Sequence, residues 1–384
     1  MSARIRRAGA HTILGEISAE RFMREQWHRK AMLLRQVYTE ASSIVSEASL
    51  FQLACQDDVE SRLVVREGSR YCLEHGPFTR ARLRRLPATH WTLLVQGLDQ
   101  HQPEARRLRD CFGFIPQVRL DDVMVSLAAP EGGVGPHFDS YDVFLVQGPG
   151  RRRWRYGTQK RLVLDPDQPL KILSRFSPSA DHILETGDML YLPPRYAHDG
   201  VAVDRCMTFS VGFRAPGARE IAHGFLDHLA DHLDEMPALD ERFSDPGRGA
   251  TDHPGRMPAD LSRWVAGAVR QLRWDARTVA HFAGLHLSTP KPNVIFTAPH
   301  ATLSAAAFRR RVQQCGIVLD PRSILLYDNQ SIYLNGVAHR MSGSERAWMV
   351  ALADRQPTGA APRTLYEWLY ARYCDGELGP GTAA

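Results

Sequence analysis

The segment Gly135-Pro136-His137-Phe138-Asp139 concentrates metal-binding chemistry in a few residues. In an extended segment, side chains two apart share a face, so His137 and Asp139 point the same way. Their imidazole nitrogen and carboxylate oxygen can hold one ion, but two ligands leave it under-coordinated. His198, in Leu192-Pro193-Pro194-Arg195-Tyr196-Ala197-His198, is the best-placed third ligand. It follows Asp139 by 59 positions, room for several strands and a return to the same end of a barrel. His182 is the rival; it precedes the strand-like run into Gly187-Asp188 and is expected at the far end. Two histidines and one carboxylate on one face of a metal form the non-haem Fe(II) oxygenase set, with positions left open for a cosubstrate and dioxygen.

A His-x-Asp pair alone often binds nothing, and this chain has 16 histidines. Three further features point to a site. Gly135 and Pro136 suit a strand start at a barrel mouth. The run from Glu185 to Pro194 reads as a turn, a strand and a stiff double-proline corner before His198. The third feature is Arg152, in Arg151-Arg152-Arg153-Trp154-Arg155. Strand alternation splits that run. If Trp154 faces the core, Arg152 faces inward with it, while Arg151, Arg153 and Arg155 face out. An inward guanidinium is costly unless an anion meets it, and a carboxylate fits its planar fork. Beside an Fe(II) site this suggests 2-oxoglutarate, with its far carboxylate on Arg152.

Asp122, Met124 and Ser126 alternate onto one face of a strand just before the metal motif. A carboxylate there can pair with a substrate cation, or serve merely as an edge charge. Ser126 joins Arg152 as a candidate contact for the cosubstrate. Tyr141 stands two residues past Asp139, near enough to wall the site, and Ser210 lies on the strand-like run after His198.

The elements that must position these residues are short. Ala19 to Lys30 has helical spacing, and Met32 to Val37 reads as a strand. Trp91 to Gln96, Asp122 to Ala128, Val143 to Gln147, Leu162 to Leu164, Met189 to Leu192 and Met207 to Phe213 continue the series, separated by Gly and Pro. Many short strands with such turns predict a sandwich or barrel. After Pro216 the pattern becomes helical: Ile221, Phe225, Leu229 and Leu233 recur every four residues. Met236 to Pro258 reads as a loop, and Leu261, Trp264, Val265, Ala268 and Leu272 share a second helix face. Further on, Ile324 to Tyr327 and Ser331 to Leu334 flank a turn and predict a hairpin. Ser344 is a candidate cap for a helix through Trp348 and Leu352, and Leu365, Trp368 and Leu369 predict a closing helix. The expected domains are 1–215, with the site; 216–290, helical; and 291–384, winged-helix-like.

Composition excludes several classes. At 384 residues with 43% apolar and 24% charged, the chain is neither disordered nor a coiled-coil rod. A net charge of +5 does not mark a dedicated nucleic-acid binder, and the cluster Arg309-Arg310-Arg311 is too short to make a basic recognition helix. No apolar run is long enough to span a membrane, and Arg4, Arg6 and Arg7 have no apolar core behind them as a signal peptide would. Six cysteines without a Cys-x-x-Cys pair fit a reduced, cytoplasmic protein without a cysteine zinc site.

His137 to Phe144, Gln147 to Trp154 and Leu192 to His198 resemble the JmjC-type ribosomal oxygenases, as do Trp91 to Gln96, Arg119 to Ser126 and Phe22 to Lys30. The resemblance covers about the first 215 residues; beyond them only the order of regions is similar. It implies a mixed α+β fold: a JmjC/cupin-type double-stranded β-helix (jelly roll), a helical dimerisation region and a winged-helix-like domain. It implies Fe(II) on His137, Asp139 and His198, 2-oxoglutarate on Arg152, and dioxygen as the oxidant. Asp122, Met124, Tyr141 and Ser210 are implied as the side-chain pocket. The activity implied is hydroxylation of an arginine in a large-subunit ribosomal protein by a homodimer that makes no direct use of membrane or nucleic acid. A histidyl ribosomal-protein hydroxylase or a JmjC demethylase would use the same four residues at its centre. A non-enzymatic, cupin-like metal-binding sensor would have no need of an inward Arg152.

Overall fold

The computed structural model describes residues 13–381. The N-terminal Arg4, Arg6 and Arg7, read above for a signal peptide, lie outside the described residues. The chain divides into two compact units, Met1–Ala215 and Pro216–Ala384.

Eleven strands build the first unit: β1 (Met32–Leu34), β2 (Ser61–Glu67), β3 (Arg70–His75), β4 (Trp91–Val95), β5 (Leu120–Ala128), β6 (Val143–Gln147), β7 (Arg152–Gly157), β8 (Ala180–Leu184), β9 (Met189–Leu192), β10 (Ala197–Ala202) and β11 (Cys206–Phe213). Eight form a major sheet in the order β1-β9-β6-β11-β5-β4-β2-β3, and three form a minor sheet, β10-β7-β8. From β5 onward the chain passes from major to minor sheet and back twice. That winding makes a double-stranded β-helix, a jelly roll whose two sheets face each other.

Strand alternation sorts the side chains. On β5, Val123, Val125 and Leu127 enter the main core with Phe144 and Val146 of β6, Tyr191 of β9 and Phe209 and Val211 of β11. Phe22, from the Ala19–Glu25 helix, and Phe112 complete this layer. The opposite faces look into the barrel. Val143, Leu145, Leu190 and Leu192 meet Trp154, Tyr156 and Leu184 there. Asp122, Met124 and Ser126 share that inward face. The β5–β11 register sets Met124 opposite Ser210 and Ser126 opposite Thr208.

Several local expectations need correction. The helix expected to reach Lys30 ends at Glu25, and turns follow, with His28 at φ 58°. The strand at Met32 stops at Leu34. Leu162 to Leu164 is not a strand; Leu164 makes only an isolated bridge to Leu173. His182 lies within β8, opposite Trp154, rather than ahead of the strand. The β2–β3 hairpin went unread, because its charged residues interrupt the apolar alternation.

The second unit begins with helices Ala218–Asp231, Ala259–Gln271 and Ala276–Ser288. Leu233 falls beyond the first of these, and the third has no counterpart in the sequence reading. Helix Ala305–Cys315 follows, then a small sheet of β13 (Leu325–Tyr327), β14 (Ile332–Leu334) and β15 (Val337–His339), and helices Gly343–Ala353 and Tyr366–Cys374. A two-stranded ladder pairs β12 (Ile317–Leu319) with β16 (Leu378–Pro380). The 325–334 hairpin matches its expectation, but the residue at the cap of the next helix is Ser342, not Ser344. Phe308, Ile332, Trp348, Met349 and Leu369 form the core of this winged-helix-like part. No described helix is long and apolar enough to cross a membrane.

Gly200 tests the packing between β10 and β7. It lies opposite Trp154, and a Cβ there would stand 2.6 Å from the indole ring. Gly200→Ala is therefore expected to destabilise the first unit by about 1–3 kcal/mol, the usual cost of overpacking. Urea unfolding followed by tryptophan fluorescence would measure it, and unchanged stability would refute the packing assignment.

Candidate metal centre and cavity

His137, Asp139 and His198 present donor atoms that all lie within 4.8 Å of one another. His137 and His198 come together through the backbone. They form an isolated antiparallel bridge in which each N–H donates to the other's carbonyl, at 2.9 and 2.8 Å. This pair extends the minor sheet by one rung and brings the two rings 4.2 Å apart.

Both tautomers follow from the hydrogen bonds. His137 Nδ1 lies 2.8 Å from the carbonyl of Gly135, and His198 Nδ1 lies 2.9 Å from that of Tyr196. A carbonyl can only accept, so each Nδ1 carries the proton and each Nε2 keeps its lone pair. This is the arrangement that orients histidine for a metal. His198 Nε2 lies 3.6 Å from Asp139 Oδ2. Burial, then the neighbouring His137, brings the His198 pKa down to about 4, which keeps its ring neutral. The carbonyl of Asp139 accepts from the N–H of Arg195 at 2.7 Å. Arg195 holds φ at 66°, an unusual conformation for a residue with a side chain. His182 is not in the cluster; its ring packs against Tyr156 at 5.9 Å.

Arg152 is 3% exposed. Its Nε and one terminal nitrogen have no hydrogen-bond partner among the described residues. The three outward arginines are each matched by a carboxylate: Arg151 with Asp204, Arg153 with Asp181 and Arg155 with Asp199. Arg152 thus differs from its neighbours in lacking an anion, and burying such a charge is costly. The donor set of the triad fits a divalent iron, and the unpartnered guanidinium fits the carboxylate of a cosubstrate.

One cavity of about 660 Å³ contains all nine residues singled out above: His137, Asp139, His198, Arg152, Ser126, Asp122, Met124, Tyr141 and Ser210. Asp122 is buried, and its Oδ2 accepts from the N–H of Gly97 at 3.1 Å. Ser126 Oγ reaches the carbonyl of Thr208 at 3.4 Å. Tyr141 lines the mouth; desolvation, then the carboxylates of Asp139, Asp122 and Asp121, pushes its pKa up, so its phenol stays neutral.

Sequence reasoning missed other members of this wall. Thr92 lines the cavity with a buried hydroxyl that has no partner among the described residues. Its signal was present, as a polar residue between the apolar core residues Trp91 and Leu93. Arg62 and Lys171 also line the cavity. Lys171 comes from an irregular segment, where no periodicity could have placed it. The carbonyls of Gly135 and Tyr196, which set the tautomers, carry no sequence signal.

Comparison with known proteins agrees with this architecture. Residues 107–221 match the JmjC domain, and residues 271–375 match the ROXA-like winged helix. The chain is 38% identical to the ribosomal protein uL16 3-hydroxylase of Escherichia coli over 245 residues, 63% of this chain and 64% of that protein. It is 38% identical to a probable ribosomal oxygenase of Haemophilus influenzae over 212 residues, 54% of this chain and 52% of that one. The match therefore spans less than two thirds of either curated relative. The solved structure of E. coli YcfD superposes with a TM-score of 0.78 at 28% identity, covering 94% of this chain and 98% of that one. The ribosomal oxygenase YcfD in complex with cobalt and 2-oxoglutarate superposes with a TM-score of 0.76 at 28% identity and the same coverage. The chain thus carries a match to the JmjC domain followed by a match to the ROXA-like winged helix, and is similar in sequence and fold to ribosomal oxygenases.

Proposed function

We propose that this protein is an Fe(II)- and 2-oxoglutarate-dependent hydroxylase acting on an arginine of a large-subunit ribosomal protein. The observation that carries this reading is the buried, unpartnered Arg152 in the same cavity as the His137–Asp139–His198 triad. With Fe(II), 2-oxoglutarate and dioxygen bound, the site gains the oxidising chemistry that yields succinate, carbon dioxide and a hydroxylated side chain. The protein's part is positional. His137, Asp139 and His198 would hold the Fe(II). Arg152 takes the far carboxylate of 2-oxoglutarate, and Ser126 supports it from β5. Asp122, fixed by the Gly97 N–H, meets the substrate guanidinium as it leaves water. Met124, Ser210 and Tyr141 enclose the stem of that side chain.

The assembly part of the reading assigns residues 1–215 to catalysis, 216–290 to dimerisation and 291–384 to a winged-helix-like unit that holds a protein partner rather than nucleic acid. The helical region carries Leu226, Val265 and Val269 at 60%, 48% and 63% exposure, apolar surface suited to a second copy of the chain. Six unpaired cysteines and a ribosomal substrate fit the cytoplasm.

Four measurements test the proposal. Asp139→Ala should weaken Co(II) binding by more than the roughly 10–100-fold that loss of an outer-shell partner costs, with the fold retained by circular dichroism; wild-type metal content would overturn the assignment. Arg152→Ala should cost about 2–5 kcal/mol of 2-oxoglutarate affinity by calorimetry while metal still binds; unchanged affinity would move the far carboxylate to another cation.

For substrate choice the informative change is Asp122→Asn, which keeps an oxygen for the Gly97 N–H and removes the charge. Hydroxylation of an arginine peptide, read as a +16 Da shift, should fall at least about 100-fold, since a buried cation without its partner costs several kcal/mol. Slow uncoupled succinate release should persist. Preference for a histidine peptide would favour the histidyl hydroxylase instead. For assembly, Val265→Glu with Val269→Glu should shift the sedimenting species from dimer to monomer; a wild-type monomer would remove the dimer from the proposal.

A further inference from the structure

The carboxylate of Asp122 lies where the major sheet does least to hold it. On one side the β4–β5 ladder ends with Val95 opposite Val125, so Asp122 and Val123 run past its last rung. On the other side the β5–β11 register shifts between the Val211–Val123 and Phe213–Leu120 pairs, which leaves Asp122 in the irregular stretch. A strand position without a regular ladder on either side is held only if other groups pair with its backbone.

The turn after β4 supplies those groups. Gly97 adopts φ 61°, a left-handed conformation that suits glycine, and leads into the short helix Leu98–His101. The turn brings two groups to β5. The Gly97 N–H donates to Asp122 Oδ2 at 3.1 Å, and Asp99 Oδ1 accepts from the Val123 N–H at 2.9 Å. Asp99 therefore offers the acceptor that a longer β4 would have provided. Its other oxygen, Oδ2, accepts from Arg109 Nη1 at 2.7 Å, and Arg109 belongs to the Pro103–Asp110 helix. The side chains of Asp99 and Arg109 are 2% and 14% exposed. At such burial the pair is a strong, charge-assisted contact, and loss of either partner leaves the other without compensation. Arg109, Asp99 and Val123 thus form a chain of contacts that runs from a helix outside the cavity to the residue beside Asp122.

We propose, resting on the role given to Asp122 under the proposed function, that Asp99 and Arg109 are positioning residues for substrate recognition. Through the Val123 N–H they set where Asp122 stands, and through Asp122 the preference for a guanidinium. Neither residue lines the cavity, so both act through Asp122 and not on the substrate itself. A carboxylate meets a guanidinium fork well only over a narrow range of distance and angle. A small shift of β5 forfeits that contact, while the metal donors and Arg152 lie on other elements and keep their places.

The test compares three variants of the full chain, each shown to be folded by circular dichroism. Asp99→Asn keeps an oxygen for the Val123 N–H and removes the charge that Arg109 meets. Arg109→Met removes the cation, and Arg109→Lys retains it; if Asp99→Asn does not fold, the two Arg109 variants carry the comparison. Calorimetry on the Co(II)-loaded protein with 2-oxoglutarate should show affinity for an arginine peptide falling about 10-fold or more in Asp99→Asn and Arg109→Met, and by no more than about threefold in Arg109→Lys. Affinity for 2-oxoglutarate should stay within about twofold, because Arg152 is an independent site. With Fe(II), the ratio of hydroxylated peptide to succinate should fall, since a misplaced substrate leaves turnover uncoupled. In an Asp122→Asn background, Asp99→Asn should cost no further peptide affinity, because both changes act on one contact. A merely structural role would leave the product ratio unmoved and would add to Asp122→Asn. Wild-type peptide affinity in Asp99→Asn and Arg109→Met, or full additivity with Asp122→Asn, would overturn the proposal. Wild-type affinity in Asp122→Asn alone would instead overturn the role of Asp122 on which it rests.

Discussion

The guanidinium of Arg152 is buried, while its alternating neighbours are paired at the surface. A fixed positive charge inside a jelly roll is tolerable only if something negative enters with it. The fold is arranged around that requirement. Strand β7 must be regular enough to keep Arg152 and Trp154 on the inner face. Strand β10 must offer Gly200 opposite Trp154, because any side chain there would displace the indole. The outward arginines must find Asp181, Asp199 and Asp204, so that a run rich in positive charge does not repel itself. With those conditions met, the barrel interior holds a buried cation suited to an anion, beside three donors suited to a metal.

The triad depends on backbone more than on side-chain packing. His137 and His198 are joined by a reciprocal pair of main-chain hydrogen bonds, so their separation is that of a β-ladder rung and varies little. Each ring is then locked by the carbonyl two residues upstream. Asp139 is held through its own carbonyl by Arg195, in a left-handed conformation that the Pro193–Pro194 corner precedes. Preorganisation of this kind leaves the metal no slack to take up, and pre-placed ligands are what a labile divalent ion requires.

Local periodicity explains which features were legible in the sequence. His137 and Asp139, Arg152 and Trp154, and Asp122 with Met124 and Ser126 are each pairs or triples on one strand, where the period of two assigns a face directly. His198 needed more, since its choice over His182 rests on which strand returns beside His137, a long-range pairing that no local pattern encodes. The structure places His182 on β8, across from Trp154, with β7 between it and the strand that carries His198. Features without a period were missed. The β2–β3 hairpin interleaves charged residues on both faces, and the Ala276–Ser288 helix mixes Val279, Phe282, Leu285 and Leu287 with a majority of polar or small residues. Leu162 to Leu164 looked like a strand and has no partner to pair with beyond a single bridge.

The cavity also imposes an electrostatic order on what enters it. Arg152 lies on the minor sheet and Asp122 on the major sheet, so one 660 Å³ space offers a buried cation and a buried carboxylate from different sheets. Two ligands of opposite charge suit such a cavity better than one of either sign. An anionic cosubstrate seated against Arg152 answers the buried cation. Under the proposed function, a cationic side chain arriving at Asp122 would meet a carboxylate already held by the Gly97 N–H. A neutral imidazole would gain less from that carboxylate, whereas a guanidinium brings the charge and the planar donor fork that match it. The wall between them is largely apolar or hydroxylic, with Met124 facing Ser210 across the β5–β11 ladder, which favours an alkyl stem lying along it. Under the proposed function, the choice of arginine over histidine would rest on the position of one carboxylate, Asp122, while the metal donors would be common to both.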